Sequence, residues 1–314
     1  MYNYANIILI KNFVNTTIWR KVMEEFNLVN LGNIGEPAAD VTNNFINKVS
    51  SALGWIFTPK NIKPAIIDAN KSIIEEIAHR EDINPIERSA IISNYKKFVK
   101  EYKNQMDVMK VALEHLNPNS EPEKVNDDWI TFFFDKVKNV NEDYMKAIWG
   151  RILAGEFNEP NTYTKQLLHT MSIMDSRIAK RFQKIRSSCF FSPPILLAFM
   201  YRTNGDSIKN IKAYDKMKIF IYDLRELDSL GLIQYRFSDF HTLVIKNKVF
   251  YYGNKVIKFE TDKRTIALGN VALTSVGKQL CRIVPMEYDD KILDICLDSW
   301  RKLGYNPVVE TIKI

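Results

Sequence analysis

From about Pro85 to Leu116 the chain carries a seam that dominates any fold it can adopt. Ile91, Tyr95, Phe98, Tyr102, Gln105, Met109, Ala112 and Leu116 alternate gaps of four and three, the a and d spacing of a coiled coil. Ile92, Val99, Met106 and Leu113 repeat every seven residues beside it. Two adjacent apolar rows make a stripe too wide for a two-stranded coil, so the pattern predicts a long bundle helix, ~48 Å at ~1.5 Å per residue, covered by shorter helices. Pro85 suits its first turn and Asn117-Pro118 stops it. On this reading Phe98, Tyr102 and Met109 are buried core, and Gln105 is a polar defect in the seam.

The remaining pattern agrees with a helical chain. Only 11 Gly and 11 Pro stand among 314 residues, too few turn formers for a many-stranded sandwich or barrel. Apolar residues at Ile10, Val14, Ile18, Val22 and Phe26 predict an amphipathic helix near the start. It could lie on a membrane surface, but Glu24 and Glu25 dilute its basic face and favour packing on a neighbour. A second helix follows Gly32 to Pro37, with Phe45, Val49, Leu53 and Ile56 on one face, and Ile66 to His79 reads as a third. No run reaches the ~18 to 20 apolar residues of a membrane span, and Met1 to Ile10 has neither the basic start nor the cleavage site of a signal peptide. Cys189, Cys281 and Cys296 form no Cys-x-x-Cys pair, which points to reduced thiols in the cytoplasm.

Asn117 to Asn126 is the clearest linker by composition. Asp127 or Asp128 then caps a helix with Trp129, Ile130, Phe133 and Val137, and Asn141-Glu142-Asp143 starts the next. The expected division is therefore a helical region 1–117 with the long helix, a second helical region 118–190, and an α+β domain 191–314. The last of these holds 19 Lys and Arg against 14 Asp and Glu, most of the net charge of +7. Such a surplus favours a phosphate backbone without requiring one.

The run Trp149-Gly150-Arg151-Ile152-Leu153-Ala154-Gly155-Glu156, followed by Pro160 to Thr164 and Leu168, resembles an uncharacterised bacterial family, a domain of unknown function. The family's core is Trp-Ala-Arg-Ile-Leu-Ala-Gly-Glu, then Pro-Gly-Ser-Phe-Ser. Gly32 to Pro37 and Ser51 to Pro59 are similar to its N-terminal pattern. Gly150 for Ala, Asn161 for Gly, Thr162 for Ser and Tyr163 for Phe are the departures. The resemblance implies association with mobile elements and with anti-phage or abortive-infection loci, and it carries no catalytic residue. From the residues themselves, Trp149 reads as core. Arg151 and Glu156 are too costly to bury without partners, which suits an ion pair or a helix cap. Gly155 and Pro160 stop the helix, and Thr162 or Thr164 caps the next.

The last third changes period. Ser192-Pro193-Pro194 predicts a helix to Met200, and Tyr214 to Leu230 another, ended by Gly231. Leu232 to Phe237, Thr242 to Tyr252 and Val256 to Glu260 read as strands, with Gly253-Asn254 as a tight hairpin loop. Thr274 caps a helix from Ser275 to Ile283. A final helix, Tyr288 to Leu303, precedes a strand at Pro307 to Lys313. The string Leu224-x-x-Leu227-x-x-Leu230-Gly231-Leu232-Ile233, a hairpin, then Leu273-Thr274-x-x-Gly277-x-x-Leu280 resembles winged-helix domains. That resemblance makes Lys246, Lys248, Lys255, Lys258, Lys263 and Arg264 the candidate nucleic-acid contacts of the wing. Lysines there equally suit a solvated edge that resists aggregation.

Catalytic patterns are thin. Arg236 to His241 has the Arg-x4-His spacing of a class of helical ribonucleases but follows a strand. His79, His115 and His169 fall at helix ends, and Asp127-Asp128 and Asp289-Asp290 suit helix N-termini better than a metal. No Walker loop, Gly-x-Gly-x-x-Gly or Gly-x-Ser-x-Gly occurs, so neither cofactor nor metal is expected. The sequence thus predicts a mainly α chain: a helical bundle with a long central helix, then a winged-helix-like α+β domain. The leading function is a non-enzymatic component of anti-phage defence working through protein or nucleic-acid contacts. A DNA-binding regulator and a membrane-perturbing effector using the first helix are the alternatives. The partner classes are nucleic acid, a phage or host protein, and a second copy of the chain.

Overall fold

The computed structural model describes residues 36–54, 73–192, 195–197, 218–236, 241–244, 249–285 and 288–311. The helix read at Ile10 to Phe26, most of the Gly32 to Pro37 and Ser51 to Pro59 patterns, and the start of the Ile66 to His79 segment lie outside these residues. The chain is mainly helical, with a C-terminal region of mixed helix and strand. It divides into two compact units, Met1–Asn141 with Trp149–Asn161, and Glu142–Ile148 with Thr162–Ile314. These borders do not coincide with those drawn from composition at 117/118 and 190/191.

In the first unit, helix α1 (Glu36–Leu53) turns Phe45 and Val49 fully inward. Residues 73–78 are helical. Helix α2 (Pro85–Leu113) is the long element, begun by Asn84, whose side chain accepts from Glu87 N at 2.9 Å, with Pro85 at its first position. Helix α3 (Asp127–Val137) starts on Asn126, which accepts from Trp129 N, so the cap is Asn126 rather than Asp127 or Asp128. Helix α4 (Asp143–Asn158) supplies Trp149, Ile152, Leu153 and Phe157 to the core. Phe133 meets Trp149 edge-on at 5.3 Å, and Phe45 meets Phe157 at 4.6 Å.

The seam on α2 is buried only in part. Val99, Met109 and Ala112 are buried as the row spacing requires, and Asn104 and Val108, which belong to neither row, are buried too, but Phe98 is 43% exposed and stacks on Tyr102. The expectation that Phe98 is core is therefore corrected. The covered face of α2 is rolled toward Asn104, Val108 and Val111, away from the seven-residue row, whose Ile92, Met106 and Leu113 are only half-buried. Gly150 shows how close that packing is: a Cβ on it would sit 2.5 Å from Val111 Cβ and 3.0 Å from Val108 O. Gln105 is no defect either. Its Nε2 donates to Phe134 O at 3.0 Å, and the buried Asn104 donates to Lys138 O at 2.9 Å, so two amides of α2 satisfy carbonyls at the end of α3. The segment read as a linker is packed: Pro122 and Val125 are buried, Glu121 N donates to Phe157 O, and Asn117 N donates to Asn158 Oδ1.

After Glu142–Ile148, the second unit continues with α5 (Lys165–Ser172), capped by Thr164, and α6 (Ser176–Arg186), capped by Asp175. Where a helix from Ser192 to Met200 was expected, strands β1 (Phe190–Ser192) and β2 (Ile195–Leu197) form a hairpin. Helix α7 runs Ile221–Ser229 only, since Lys218 takes φ 58° ahead of it and Gly231 φ 70° after it. Six strands follow: β3 (Ile233–Tyr235), β4 (His241–Val244), β5 (Val249–Tyr252), β6 (Lys255–Phe259), β7 (Thr265–Gly269) and β8 (Val271–Leu273). They nest, β3 with β8, β4 with β7 and β5 with β6, as one long interrupted hairpin whose loop is Gly253-Asn254. Helix α8 (Ser275–Cys281), helix α9 (Asp290–Lys302) and strand β9 (Pro307–Thr311) complete the chain.

The hairpin's outer end enters a five-stranded sheet, β2-β1-β5-β6-β9. Trp300 of α9 is its anchor, with ring centroids 5.0 Å from Phe259, 5.3 Å from Phe190 and 5.7 Å from Phe250. Its buried indole N–H donates to Ala267 O at 2.9 Å. At the inner end, Thr274 Oγ1 accepts from Gly277 N at 3.0 Å and lies 2.6 Å from Gly231 O, to which it donates, while Thr274 N donates to Leu232 O. This knot accounts for the spacing of Thr274 and Gly277 between Leu273 and Leu280.

Candidate functional site

The hairpin lysines were the residues most open to a functional role, so their surroundings decide what the hairpin can do. Strand alternation puts Lys258 on the face opposite its buried neighbours Ile257 and Phe259. There its Nζ meets Glu310 of β9 at 2.6 Å. Lys255 forms an ion pair with Asp290, the first residue of α9. Lys263 Nζ donates to Leu303 O at the end of α9 and lies 4.7 Å from the Tyr305 ring centre. Arg264 is exposed. Lys246 and Lys248 lie outside the described residues. Three of the four described cations are thus engaged by groups of the same unit, and β6, which carries two of them, lies between β5 and β9.

A second charged cluster, unread in the sequence, joins α6 to α7. Arg181 forms ion pairs with Asp223 at 2.7 Å and with Glu226, and Arg177 reaches Glu226 at 3.1 Å. Arg181 also lies 5.5 Å from the ring centre of Tyr222, which stacks on Phe220 at 5.2 Å and is itself 54% exposed. Asp223 is 5% exposed, so its two-sided engagement by Arg181 and by Phe220 N at 3.1 Å matches the rule that buried charge is paired. Helix α7 holds Asp223, Glu226 and Asp228 against Arg225 alone. The α6 cap Asp175 has its carboxyl held below the usual range, first by the Ile178 N–H at 2.8 Å and then by Arg177. No sequence signal could have found the α6–α7 pairs, since they join residues 42, 45 and 49 apart.

The family-motif block is built into the first unit. Trp149 is fully buried. Glu156, 3% exposed, accepts from Asn161 N at 2.7 Å and so holds the turn in which Asn161 takes φ 68°. Pro160 stands in that same turn, Gly155 lies in the last turns of α4, and Arg151 is half-buried. The turn ends at Thr164, whose hydroxyl accepts from Leu167 N and, with its own N–H, contacts Gln279 Oε1.

Other groups weighed for chemistry stand apart. Arg236 follows β3 and His241 opens β4, so the Arg-x4-His spacing joins two strands rather than a helix end. His79 contacts Glu75 O at 2.7 Å, one turn back, and His115 and His169 are exposed. Asp289 caps α9, accepting from Lys291 N. Among the described residues no group of three His, Cys, Asp or Glu side chains is placed to hold a metal ion, and no helix is long and apolar enough to cross a membrane. Cys189 and Cys281 are buried together, and desolvation, followed by the neighbouring Cys189 thiol, pushes the Cys281 thiol well above its ordinary range.

A family model described as a protein of unknown function (DUF2806) matches residues 93–295, well over half of the chain. No curated protein and no solved structure matches the chain.

Proposed function

We propose that this chain, which belongs to the DUF2806 family, is a non-enzymatic component of bacterial anti-phage defence of the abortive-infection type, and that it acts through protein contacts. The defence part rests on the resemblance of the Trp149 to Glu156 block and on nothing else. We read α7, β3, β8 and α8 as the winged-helix element, with the long nested hairpin as an enlarged wing. The observation that favours protein over nucleic acid is the engagement of the wing's cations by groups of the same unit: Lys255 on Asp290, Lys258 on Glu310, Lys263 on Leu303 O. Counterion release needs cations free to face phosphates.

Two measurements test this together. Cells expressing the chain should resist phage in a plaque assay, and the purified chain should show no duplex DNA binding by fluorescence anisotropy at about 50 mM salt, where phosphate contacts are strongest. Duplex binding that weakens steeply with salt and is reduced by Arg264→Glu would replace protein contacts by the DNA-binding reading. Unaltered plaque counts across a broad phage panel would remove the defence reading.

A further inference from the structure

Strand β9 is the last in the order β2-β1-β5-β6-β9, so one of its two edges faces no other strand among the described residues. Only Pro307 is buried; Val308 and Val309 are 38% and 36% exposed, and Glu310 and Thr311 are exposed too. The phase of its hydrogen bonds follows from two independent observations. Glu260 N donates to Asn306 O at 3.2 Å, continuing the register in which Phe259 faces Pro307 and Lys258 faces Val308. Antiparallel pairs alternate between bonded and non-bonded, so Val308 and Glu310 turn their peptide groups toward β6. The hairpin agrees: a two-residue loop between Tyr252 and Lys255 turns Lys255, Ile257 and Phe259 toward β5, which leaves Val256 and Lys258 for β9. The outward groups are then the Pro307 carbonyl, both peptide groups of Val309, and the N–H and carbonyl of Thr311.

We propose that β9 pairs antiparallel with β9 of a second copy of this chain about a two-fold axis at Val309, joining two five-stranded sheets into one. In that register Val309 and the partner's Val309 exchange two hydrogen bonds. Thr311 N–H donates to the carbonyl of the partner's Pro307, and the partner's Thr311 returns the same bond. Proline's missing N–H costs nothing to those four bonds, because only its carbonyl is used. Charge selects the same register. Glu310 falls opposite the partner's Val308 rather than opposite its own counterpart, and Lys258, 2.6 Å away in the same sheet, neutralises it. The pairing is isologous, as closed two-fold symmetry requires, and places a β-branched pair on the axis. It is independent of the defence reading.

The test is the mass of the full chain by analytical ultracentrifugation at rising concentration. The unmodified chain should approach twice its 36.6 kDa. Val309→Pro removes an N–H that faces away from β6, so it should weaken dimerisation at least tenfold while circular dichroism stays that of the folded chain. Val309→Lys, which keeps the backbone and adds a charge at the axis, should do the same. Val309→Cys should give a disulfide-linked dimer under mild oxidation, since a bonded antiparallel pair sets Cα atoms about 5.5 Å apart, within disulfide reach. A mass that stays monomeric at every concentration, or a dimer that the folded Val309→Pro and Val309→Lys variants leave intact, would overturn the proposal.

Discussion

Replacing Gly277 by alanine should destabilise the second unit, although alanine is the better helix former. A Cβ built on Gly277 lies 2.0 Å from Leu232 O, 3.0 Å from Leu232 C and 3.3 Å from Leu273 Cδ2. A comfortable carbon–oxygen contact is about 3.3 Å, so the carbonyl must move by more than ~1 Å. That carbonyl accepts from Thr274 N at 3.2 Å and begins a buried stretch, Leu232 and Ile233, that cannot shift freely. Overpacking of this kind costs ~1 to 3 kcal/mol, and weakening the Thr274 bonds adds ~0.5 to 1.5 kcal/mol for each one lost. Removing a helical glycine returns about 1 kcal/mol. With one bond lost the net expectation is a loss of ~0.5 to 3.5 kcal/mol, or on the order of 1 to 14 °C in Tm for a unit of this size. Thermal melts followed by circular dichroism measure it, with the exposed neighbour Lys278→Ala as a control that should stay within ~0.5 kcal/mol. A Gly277→Ala protein melting at or above the unsubstituted Tm would refute the close-approach argument and with it the Thr274 knot as the reason for the motif.

Gly150→Ala should likewise destabilise the first unit, by ~1 to 2 kcal/mol in urea melts, because Val111 Cβ at 2.5 Å outweighs the helix gain. Adding Val111→Gly should cost less in that background than in the unsubstituted chain, and simple additivity would count against contact between the two positions. Asp175→Ala should cost ~0.5 to 2 kcal/mol by removing the α6 cap. Because the folded carboxyl titrates below its unfolded value of ~3.9, the cap's contribution is complete above about pH 4 and is lost as pH falls through the lower folded value. The gap between Asp175→Ala and the unsubstituted protein should therefore close in acid, and a gap that widens there would reverse the assignment.

Features decided within a few residues are legible in the sequence alone. Pro85, Thr164, Thr274 and Asp289 stand where helices start, and Gly253-Asn254 makes the hairpin loop it spells. Features decided by distant partners are not. Ser192-Pro193-Pro194 suits a helix start on local grounds, yet Phe191 pairs with Tyr251, and that sheet contact sets the strand. Phe98 has seam spacing, but spacing gives only the faces of a helix, and neighbours choose which face is covered. The candidate site shows the same limit in its chemistry. A count of 19 bases against 14 acids reads as a basic domain with cations to offer a polyanion. Lys255, Lys258 and Lys263 find their partners 35, 52 and 40 residues further along, so their free charge is a property of sheet order and of where α9 lands. Moving β9 away from β6 would release Lys258 without altering one residue of the composition. The electrostatic character of the hairpin is thus a tertiary quantity, and the strand that neutralises Lys258 is the same one whose other edge faces no strand among the described residues.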